Sequence, residues 1–264
     1  NKISFLYQFD FYIIGDNMNI IFANWKMNKS VEEAIAFIND LNNNVSEFGD
    51  DEIIISPPFT TLSEISKIKD DKIKLCAQNM YFEDKGAFTG EISPLMAKEF
   101  CEFVLIGHSE RRHIFKEPNQ LINKKVLSAL SHGLKPILCV GETEDERKKK
   151  KTDSVLETQL KACLKNVSEN QIKNVMVAYE PVWAIGTGKT ATPEQAQEAH
   201  AFIREFLTDM YSQTTIRQLI LLYGGSVKSD NAAELIKEKD INGFLIGGAS
   251  LDPQLFTEII KNSK

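Results

Sequence analysis

Three residues of this chain have side chains suited to acid–base chemistry and stand at comparable places in the sequence: Lys26, His108 and Glu180. Each follows a short apolar run of the length and β-branching typical of a buried strand. An ammonium, an imidazole and a carboxylate that converge can remove a proton next to a carbonyl and stabilise the resulting enediolate. The three residues therefore predict an enzymatic site, provided that the fold brings them together.

The residues after Glu180 have the composition of a loop that closes over a site. The loop opens on Pro181, continues with the apolar run 182–185 and contains two glycines, the first of which is Gly186. A proline gives the loop a stiff end, and glycines let the backbone approach an anion closely. We predict a base, Glu180, beneath a lid.

Glycine pairs mark a candidate phosphate site. Gly247-Gly248 follows the last strand-like run, and Gly224-Gly225 follows the run before it and precedes the hydroxyl of Ser226. A single glycine pair is more often a tight turn than an anion site. Two pairs at successive strand ends instead favour backbone N–H groups that face a phosphate.

Eight apolar runs, separated by amphipathic stretches, are the elements that would position these residues. They occupy residues 20–23, 53–56, 73–77, 103–106, 136–140, 175–179, 219–223 and 244–246. Eight β/α units in one chain predict the α/β class and a single closed (β/α)8 barrel. Because all strands of such a barrel end on one rim, residues far apart in sequence would meet there.

Polar residues that can cap a helix precede several of the amphipathic stretches. The candidate helix starts are Ser30 with Glu33, Ser93 before Pro94, Asn119, Thr192 before Pro193, Ser229, and Asp252 before Pro253. Gly133 is the expected end of the helix that begins at Asn119.

Composition narrows the function classes. The chain has 264 residues, 42% of them apolar, and a net charge of −6, which suits one large α/β domain or two small ones and does not suggest a nucleic-acid partner. Its basic run, residues 148–151, follows acidic residues and is typical of a solvated face.

The four cysteines have no C-x-x-C spacing and indicate reduced, buried thiols in a cytoplasmic protein. Neither a structural metal nor a cofactor is predicted.

The first 17 residues do not fit the barrel pattern. Aromatic and aliphatic residues alternate there with more polar ones, yet the segment has neither a signal-peptide nor a membrane-span pattern. We predict that residues 1–17 are an N-terminal extension, either non-native or translated from an upstream start, and that residues 18–264 form the barrel. An added surface strand is the weaker alternative.

Five motifs together resemble the triosephosphate isomerase family. They are residues 24–28 (NWKMN), 107–112 (GHSERR), 178–195, 223–227 (YGGSV) and 246–249 (IGGA). The resemblance extends from about Asn19 to the C-terminus, and each motif follows a strand-like run. It implies a TIM barrel that interconverts dihydroxyacetone phosphate and D-glyceraldehyde 3-phosphate in glycolysis and gluconeogenesis.

The resemblance also implies roles for individual residues. Glu180 would be the base and His108 a neutral hydrogen-bond donor to the substrate oxygens, as in the triosephosphate isomerase example of neutral-histidine catalysis. Lys26 would supply positive charge, Asn24 would position the substrate, and Glu110 would hold Lys26 by an ion pair. The phosphate would bind at the residues already noted: Asn24, Lys26, Gly186, Ser226, Gly247 and Gly248.

A long connection without a helix or strand pattern, residues 78–93, is predicted to serve assembly. A loop of this length in a compact domain is usually functional or disordered. In the family the corresponding loop inserts into a second subunit, which implies a homodimer with Thr89 as a contact residue. The chain departs from the family's common pattern at Lys116 and Pro118, which carry no predicted role in catalysis.

Three other functions remain open from the sequence. A nucleotide-binding P-loop is suggested by residues 186–190, but Trp183 occupies the position where that motif requires its first glycine. Another phosphate-binding (β/α)8 sugar-phosphate isomerase would share the glycine pairs of the candidate phosphate site. It would not require the motifs around Lys26 and Glu180 together. A catalytically silent barrel that binds a partner is the third possibility, and the presence of Lys26, His108 and Glu180 argues against it.

Overall fold

A closed barrel of eight parallel strands forms the centre of the computed structural model, which describes residues 18–264. The strands are β1 (Ile20–Asn24), β2 (Glu52–Ser56), β3 (Ile73–Ala77), β4 (Phe103–Ile106), β5 (Lys135–Val140), β6 (Met176–Tyr179), β7 (Leu221–Tyr223) and β8 (Gly243–Ile246). Each strand pairs with the next, and β8 returns to β1 with Ile20 opposite Gly243. The predicted (β/α)8 barrel is confirmed.

The strands are almost entirely apolar because both of their faces are buried. Side chains alternate between two clusters along each strand. In β1, Ile20 and Phe22 point into the barrel and pack with residues such as Leu245, whereas Ile21 and Ala23 pack outward against the helices. The inner layers fill the barrel, so that ligands can bind only at its rims.

Helices surround the barrel. The α-helices among residues 18–264 are α1 (Val31–Asn42), α2 (Phe59–Ile65), α3 (Pro94–Lys98), α4 (Ser109–His113), α5 (Asn119–Ser131), α6 (Glu144–Lys148), α7 (Thr152–Cys163), α8 (Glu169–Ile172), α9 (Pro193–Met210), α10 (Gln213–Arg217), α11 (Ala232–Leu235) and α12 (Pro253–Asn262). Short 3₁₀ helices span Val45–Glu47, Val182–Ala184 and Gly248–Leu251. In the part of the chain that the structure describes, no helix is both long and apolar enough to cross a membrane.

Most of the predicted helix starts are confirmed. Ser30 and Thr192 each accept a backbone N–H in a capping box, and Asp252 caps α12. The start predicted at Ser229 is wrong, because α11 begins at Ala232. The Asn231 side chain instead ties the preceding loop together by accepting the Lys228 N–H at 2.8 Å.

The remaining predictions about the fold have mixed outcomes. Residues 78–93 contain no helix or strand, as predicted, and the four cysteines are free and buried. Strand β7 begins at Leu221, two residues later than predicted. The predicted extension, residues 1–17, lies outside the described residues.

Candidate active site

The carboxyl ends of the strands bring the predicted residues to one rim. Asn24 is the last residue of β1, Glu180 directly follows β6, and Gly247 directly follows β8. His108 lies two residues after β4, where its side chain caps the start of α4. These positions result from the parallel topology, since every strand of the barrel ends on this side.

A cavity of about 400 Å³ opens at this rim. Its lining includes all the predicted catalytic and phosphate-binding residues except Glu110: Asn24, Lys26, His108, Glu180, Gly186, Ser226, Gly247 and Gly248. Glu110 lines an adjoining cavity of about 320 Å³ that also contains Lys26 and His108. Thr89 lies outside both linings and is exposed.

His108 and Glu180 form a buried hydrogen-bonded pair. The His108 Nε2 lies 2.9 Å from Oε1 of Glu180, and both side chains are almost fully buried. The other ring nitrogen, Nδ1, accepts the Glu110 N–H at 3.2 Å. Because Nδ1 is an acceptor, the ring proton is assigned to Nε2 and the imidazole is neutral. His108 can therefore donate from Nε2 into the cavity.

Glu180 is held as a carboxylate in this conformation. Burial by itself raises the pKa of Glu180, but the interaction with His108, the N–H of Ser109 and the charge of Lys26 outweigh burial and hold the pKa below its usual range. The Ser109 N–H donates to Oε2 at 2.8 Å. A carboxylate with two such donors is a weak base, so it must exchange a donor for substrate before it can take a proton.

Lys26 is fixed by its backbone and by an ion pair. Its φ of 51° lies in the left-handed region, and its N–H donates to Oδ1 of Asn24 at 3.0 Å. The ammonium lies 2.8 Å from Oε1 of Glu110. Strained backbone at a non-glycine residue persists only where its surroundings over-determine it. The loop after β1 therefore presents a cation of defined position.

Two glycines lie beside the catalytic groups, and one of them, Gly224, is needed for space. A side-chain carbon at Gly224 would lie 2.9 Å from Cγ of Glu180, too close for any residue but glycine. A side-chain carbon at Gly247 would lie 3.4 Å from Cε of Lys26. No such obstacle exists within 4 Å at Gly248, which begins the 3₁₀ helix Gly248–Leu251 and faces open space. Gly248 is exposed, so this turn lies at the surface of the site, where the start of a helical turn favours an anion.

The lid, residues 181–189, is held in place by side chains from neighbouring loops. The carbonyl of Ala184, in the lid, accepts a 2.7 Å hydrogen bond from the hydroxyl of Ser226. Nζ of Lys189 lies 2.6 Å from Oε1 of Glu144. Gly186 has a φ of 67°, a conformation that favours glycine. Ser226 therefore contacts the lid in this conformation as well as lining the cavity.

Glu142, which contacts the lid, was missed by reasoning from the sequence. Its side chain is fully buried and accepts from Nε1 of Trp183 in the lid at 2.9 Å, from the hydroxyl of Tyr179 at 3.1 Å and from Nη1 of Arg147 at 3.0 Å. The Arg147 guanidinium lies 4.6 Å from the centre of the Trp183 ring. The available signal was its position, since Glu142 lies two residues after β5, at the same rim as Glu180.

No group of three or more His, Cys, Asp or Glu side chains within residues 18–264 is placed to hold a metal ion. The arrangement offers instead a carboxylate, a neutral imidazole and a paired ammonium around one cavity. Such a set can move protons between neighbouring carbon and oxygen atoms without a cofactor.

Comparison with known proteins identifies the family. A family model described as triosephosphate isomerase matches residues 19–263. The chain is 48% identical over 244 residues to triosephosphate isomerase from Endomicrobium trichonymphae, covering 92% of this chain and 97% of that protein. It is 49% identical over 243 residues to the same enzyme from Caldanaerobacter subterraneus and from Aquifex aeolicus, covering 91% of this chain and 98% of each relative. With its barrel and the cavity at the strand ends, the chain belongs to the triosephosphate isomerase family.

Proposed function

We propose that the chain interconverts dihydroxyacetone phosphate and D-glyceraldehyde 3-phosphate through an enediolate, using Glu180, His108 and Lys26. The observation that carries this proposal is the convergence of the three side chains on one cavity beside a glycine-rich turn. We place the reaction in glycolysis and gluconeogenesis, in the cytoplasm. The family membership favours this substrate over that of another sugar-phosphate isomerase.

Glu180 acts as the base in the proposed reaction. It removes a proton from the carbon next to the carbonyl and returns the proton to the neighbouring carbon. Substrate between Glu180 and His108 would replace the bond between them, and loss of that donor raises the basicity of the carboxylate. Lid closure excludes water, which destabilises the ionised form further and prepares it to accept a proton.

His108 and Lys26 stabilise the charge that develops on the substrate oxygens. The Nε2–H of a neutral imidazole donates a hydrogen bond to the carbonyl oxygen and shuttles the proton between the two oxygens. Lys26 adds fixed positive charge, Glu110 keeps it in place, and Asn24 orients the substrate beside it. Because these donors are already in position, little reorganisation is needed as the enediolate forms.

The phosphate group binds at the opposite side of the cavity from Glu180 in this proposal. The backbone N–H groups of Gly247 and Gly248 and of Gly186 in the lid, with the hydroxyl of Ser226, are its donors. Ser226 would exchange its bond to the lid carbonyl for the phosphate. Binding energy from this non-reacting group closes the lid and is used at the reacting carbons.

A coupled dehydrogenase assay tests the reaction. We expect the wild type to produce glyceraldehyde 3-phosphate, and Glu180→Gln to lose turnover by on the order of 10³-fold because a general base is removed. The control, Glu205→Gln on the exposed side of α9, should match the wild type. Equal rates for Glu180→Gln and the wild type would exclude Glu180 as the base. If the wild type is inactive on triose phosphates, the remaining candidate functions are those of another sugar-phosphate isomerase and of a catalytically silent barrel.

We also propose that the chain forms a homodimer through residues 78–93. Two apolar side chains that line the adjoining cavity are exposed, Met27 at 95% and Phe115 at 64%. Ile114, next to Phe115 in the sequence, is 68% exposed. Exposed apolar groups of this size, clustered at a cavity, are typical of an interface. Thr89 at the loop tip is exposed and free to enter a cavity of this kind on a second copy.

A further inference from the structure

A lysine outside the proposed catalytic set connects two segments of the active site. Lys29 lies three residues after Lys26, and its Nζ donates a 2.8 Å hydrogen bond to the carbonyl of Leu251. Leu251 ends the 3₁₀ helix that begins at Gly248, in the proposed phosphate site. One side chain thus joins the loop after β1 to the loop after β8.

The Lys29 ammonium is held by aromatic rings as well as by that hydrogen bond. It lies 5.3 Å from the centre of the Trp25 ring and 4.8 Å from that of Phe37. The two rings are buried and pack edge to face. A cation over aromatic faces is attracted most strongly where water is partly excluded. Burial lowers the pKa of Lys29, and the carboxylates of Glu33 and Asp252 oppose this shift.

The backbone at Lys29 is constrained. Its φ is 76°, in the left-handed region that residues other than glycine rarely adopt, and Lys26 at the start of the same loop has a φ of 51°. Within the loop, the Asn28 side chain donates to the carbonyl of Trp25 at 2.6 Å. The loop therefore has one defined shape, and the contacts of Lys29 attach its outer end to the neighbouring segment.

The two segments that Lys29 joins carry groups that contact each other. The Lys26 side chain passes over Gly247. A Cβ atom at position 247 would lie 3.4 Å from Cε of Lys26 and 3.7 Å from its Nζ. The separation of this ammonium from the backbone N–H groups of Gly247 and Gly248 depends on how the loops after β1 and β8 lie against each other. Lys29 connects those two loops through its hydrogen bond to Leu251.

We propose that Lys29 is a positioning residue that fixes the Lys26 ammonium relative to the phosphate-binding backbone of Gly247 and Gly248. Lys29 is not among the residues that line the cavity, so it acts through the two loops rather than on the substrate. The inference rests on the proposed function, because it assigns Lys29 to the binding of the phosphate group of the same substrate.

Replacement of the ammonium tests this role. Lys29→Met retains the aliphatic stem and loses the charge and the donor. We expect its KM for dihydroxyacetone phosphate and its inhibition constant for inorganic phosphate both to rise on the order of tenfold, with a smaller change in kcat, because the phosphate donors are misplaced. Lys29→Arg retains a cation and a donor and should stay within about threefold of the wild type.

Lys150→Met is the matched control. Lys150 also has a left-handed φ, 55°, but it is exposed in the turn between α6 and α7 and does not line the active-site cavity. Its KM and phosphate inhibition should equal those of the wild type. If Lys29→Met does not fold, Lys29→Gln, which is uncharged and shorter, is measured by the same two constants.

The outcomes separate this inference from the proposed function. A lower melting temperature for Lys29→Met with unchanged KM and unchanged phosphate inhibition would assign Lys29 to stability alone and overturn the inference. A wild type that does not interconvert the two triose phosphates would instead refute the proposed function, whatever the effect of Lys29.

Discussion

Fully or partly buried carboxylates occur at both ends of the barrel, and their surroundings give them different properties. At the catalytic rim, Glu180 accepts from His108 and Ser109, which together with Lys26 hold its pKa below the usual range despite burial. At the opposite end, Glu52 at the start of β2 has a buried Oε1 without a hydrogen-bond partner among the described residues. Burial raises the pKa of Glu52 to about 7. Hydrogen bonding, more than depth, therefore decides which carboxylate is ionised.

The raised pKa of Glu52 makes stability depend on pH. Between the ordinary glutamate pKa and about 7, Glu52 is protonated in the folded protein and ionised in the unfolded chain. The contribution of Glu52 to the free energy of unfolding therefore decreases as pH rises through this window. We expect Glu52→Gln to remove this dependence and to be more stable than the wild type at pH 8 by on the order of 1 kcal/mol.

Urea unfolding at pH 5 and pH 8 measures the effect. Glu64→Gln, on the exposed part of α2, is the control and should change the free energy of unfolding little at either pH. Glu52→Gln should also keep wild-type turnover, because Glu52 lies at the end of the barrel away from the site. A wild type and Glu52→Gln with parallel pH profiles would contradict the prediction.

The sequence could predict residues whose role is carried by a motif, and it could not predict those whose role depends on a distant partner. Lys26 and His108 stand in motifs at strand ends, and the barrel topology alone brings them to one rim. Glu142 has no such motif, because its bond to Trp183 joins loops 41 residues apart. The contact of Lys29 with Leu251 spans 222 residues and is equally invisible in local spacing.

Among the elements, the lid is attached to its neighbours by a few identified bonds, made by Trp183, Ser226 and Lys189. A short 3₁₀ helix, Val182–Ala184, lies between Pro181 and Gly186, and a single side-chain bond from Ser226 holds its last carbonyl. If the lid closes as proposed, this single helical turn would move as a unit and the conformational change would occur at the residues on either side of it. The left-handed φ of Gly186 marks one such hinge.

Gly186→Pro tests whether this hinge protects the reaction intermediate. Proline requires a φ near −65°, incompatible with the 67° of Gly186, so the lid cannot keep its present path. We expect turnover to fall by on the order of tenfold or more, and a larger share of the enediolate to lose phosphate and form methylglyoxal. The measurement is inorganic phosphate released per molecule of product.

Gly49→Pro is the control for this variant. Gly49 has a similar φ, 62°, but lies in the loop between α1 and β2, outside the active-site cavity. It should lower stability without changing the ratio of products. If Gly186→Pro also leaves that ratio unchanged, the lid does not shield the intermediate.

Helix starts were predictable where the cap and its partner are three residues apart, as with Ser30 and Glu33. The start at Ser229 was predicted wrongly because a competing turn is available. Asn231 donates to the carbonyl of Ser226 and accepts from the Lys228 N–H, so its side chain holds this segment in a turn. The helix begins only after that turn, at Ala232.

For the molecule as a whole, the proposed dimer would use residues that also line the active site. The cavity of about 320 Å³ beside the active site contains Lys26, His108 and Glu110 in its lining, with the exposed Met27 and Phe115 around it. A loop of a second copy that fills this cavity would cover those apolar groups and pack behind the catalytic side chains. Under the proposed dimer, loss of assembly therefore also loosens the active site.

Thr89→Arg tests the proposed dimer. A long, positively charged side chain at position 89 would not fit a cavity of about 320 Å³ whose lining already includes Lys26 and Arg111. We therefore expect the dissociation constant of the dimer to rise at least about thirtyfold, the effect of losing ~2 kcal/mol at an interface hot spot. Sedimentation equilibrium measures the dissociation constant, and turnover should fall at concentrations where the monomer predominates.

Thr158→Arg, on the exposed face of α7, is the corresponding control and should sediment as the wild type does. A wild type that sediments as a monomer would contradict the homodimer. A Thr89→Arg variant that remains as tightly associated as the wild type would show that Thr89 is not an interface residue.

The pairing of β8 with β1 has a consequence for the protein during its synthesis on the ribosome. Gly243 must lie opposite Ile20, and only then do Gly247 and Lys26 meet. A nascent chain that has not yet produced its eighth strand exposes two unpaired strand edges and has no complete pocket. Turnover should therefore appear only late in translation, once β8 has been made. Truncated mRNAs that end before the codons of β8 should yield inactive, aggregation-prone fragments and no partly active enzyme.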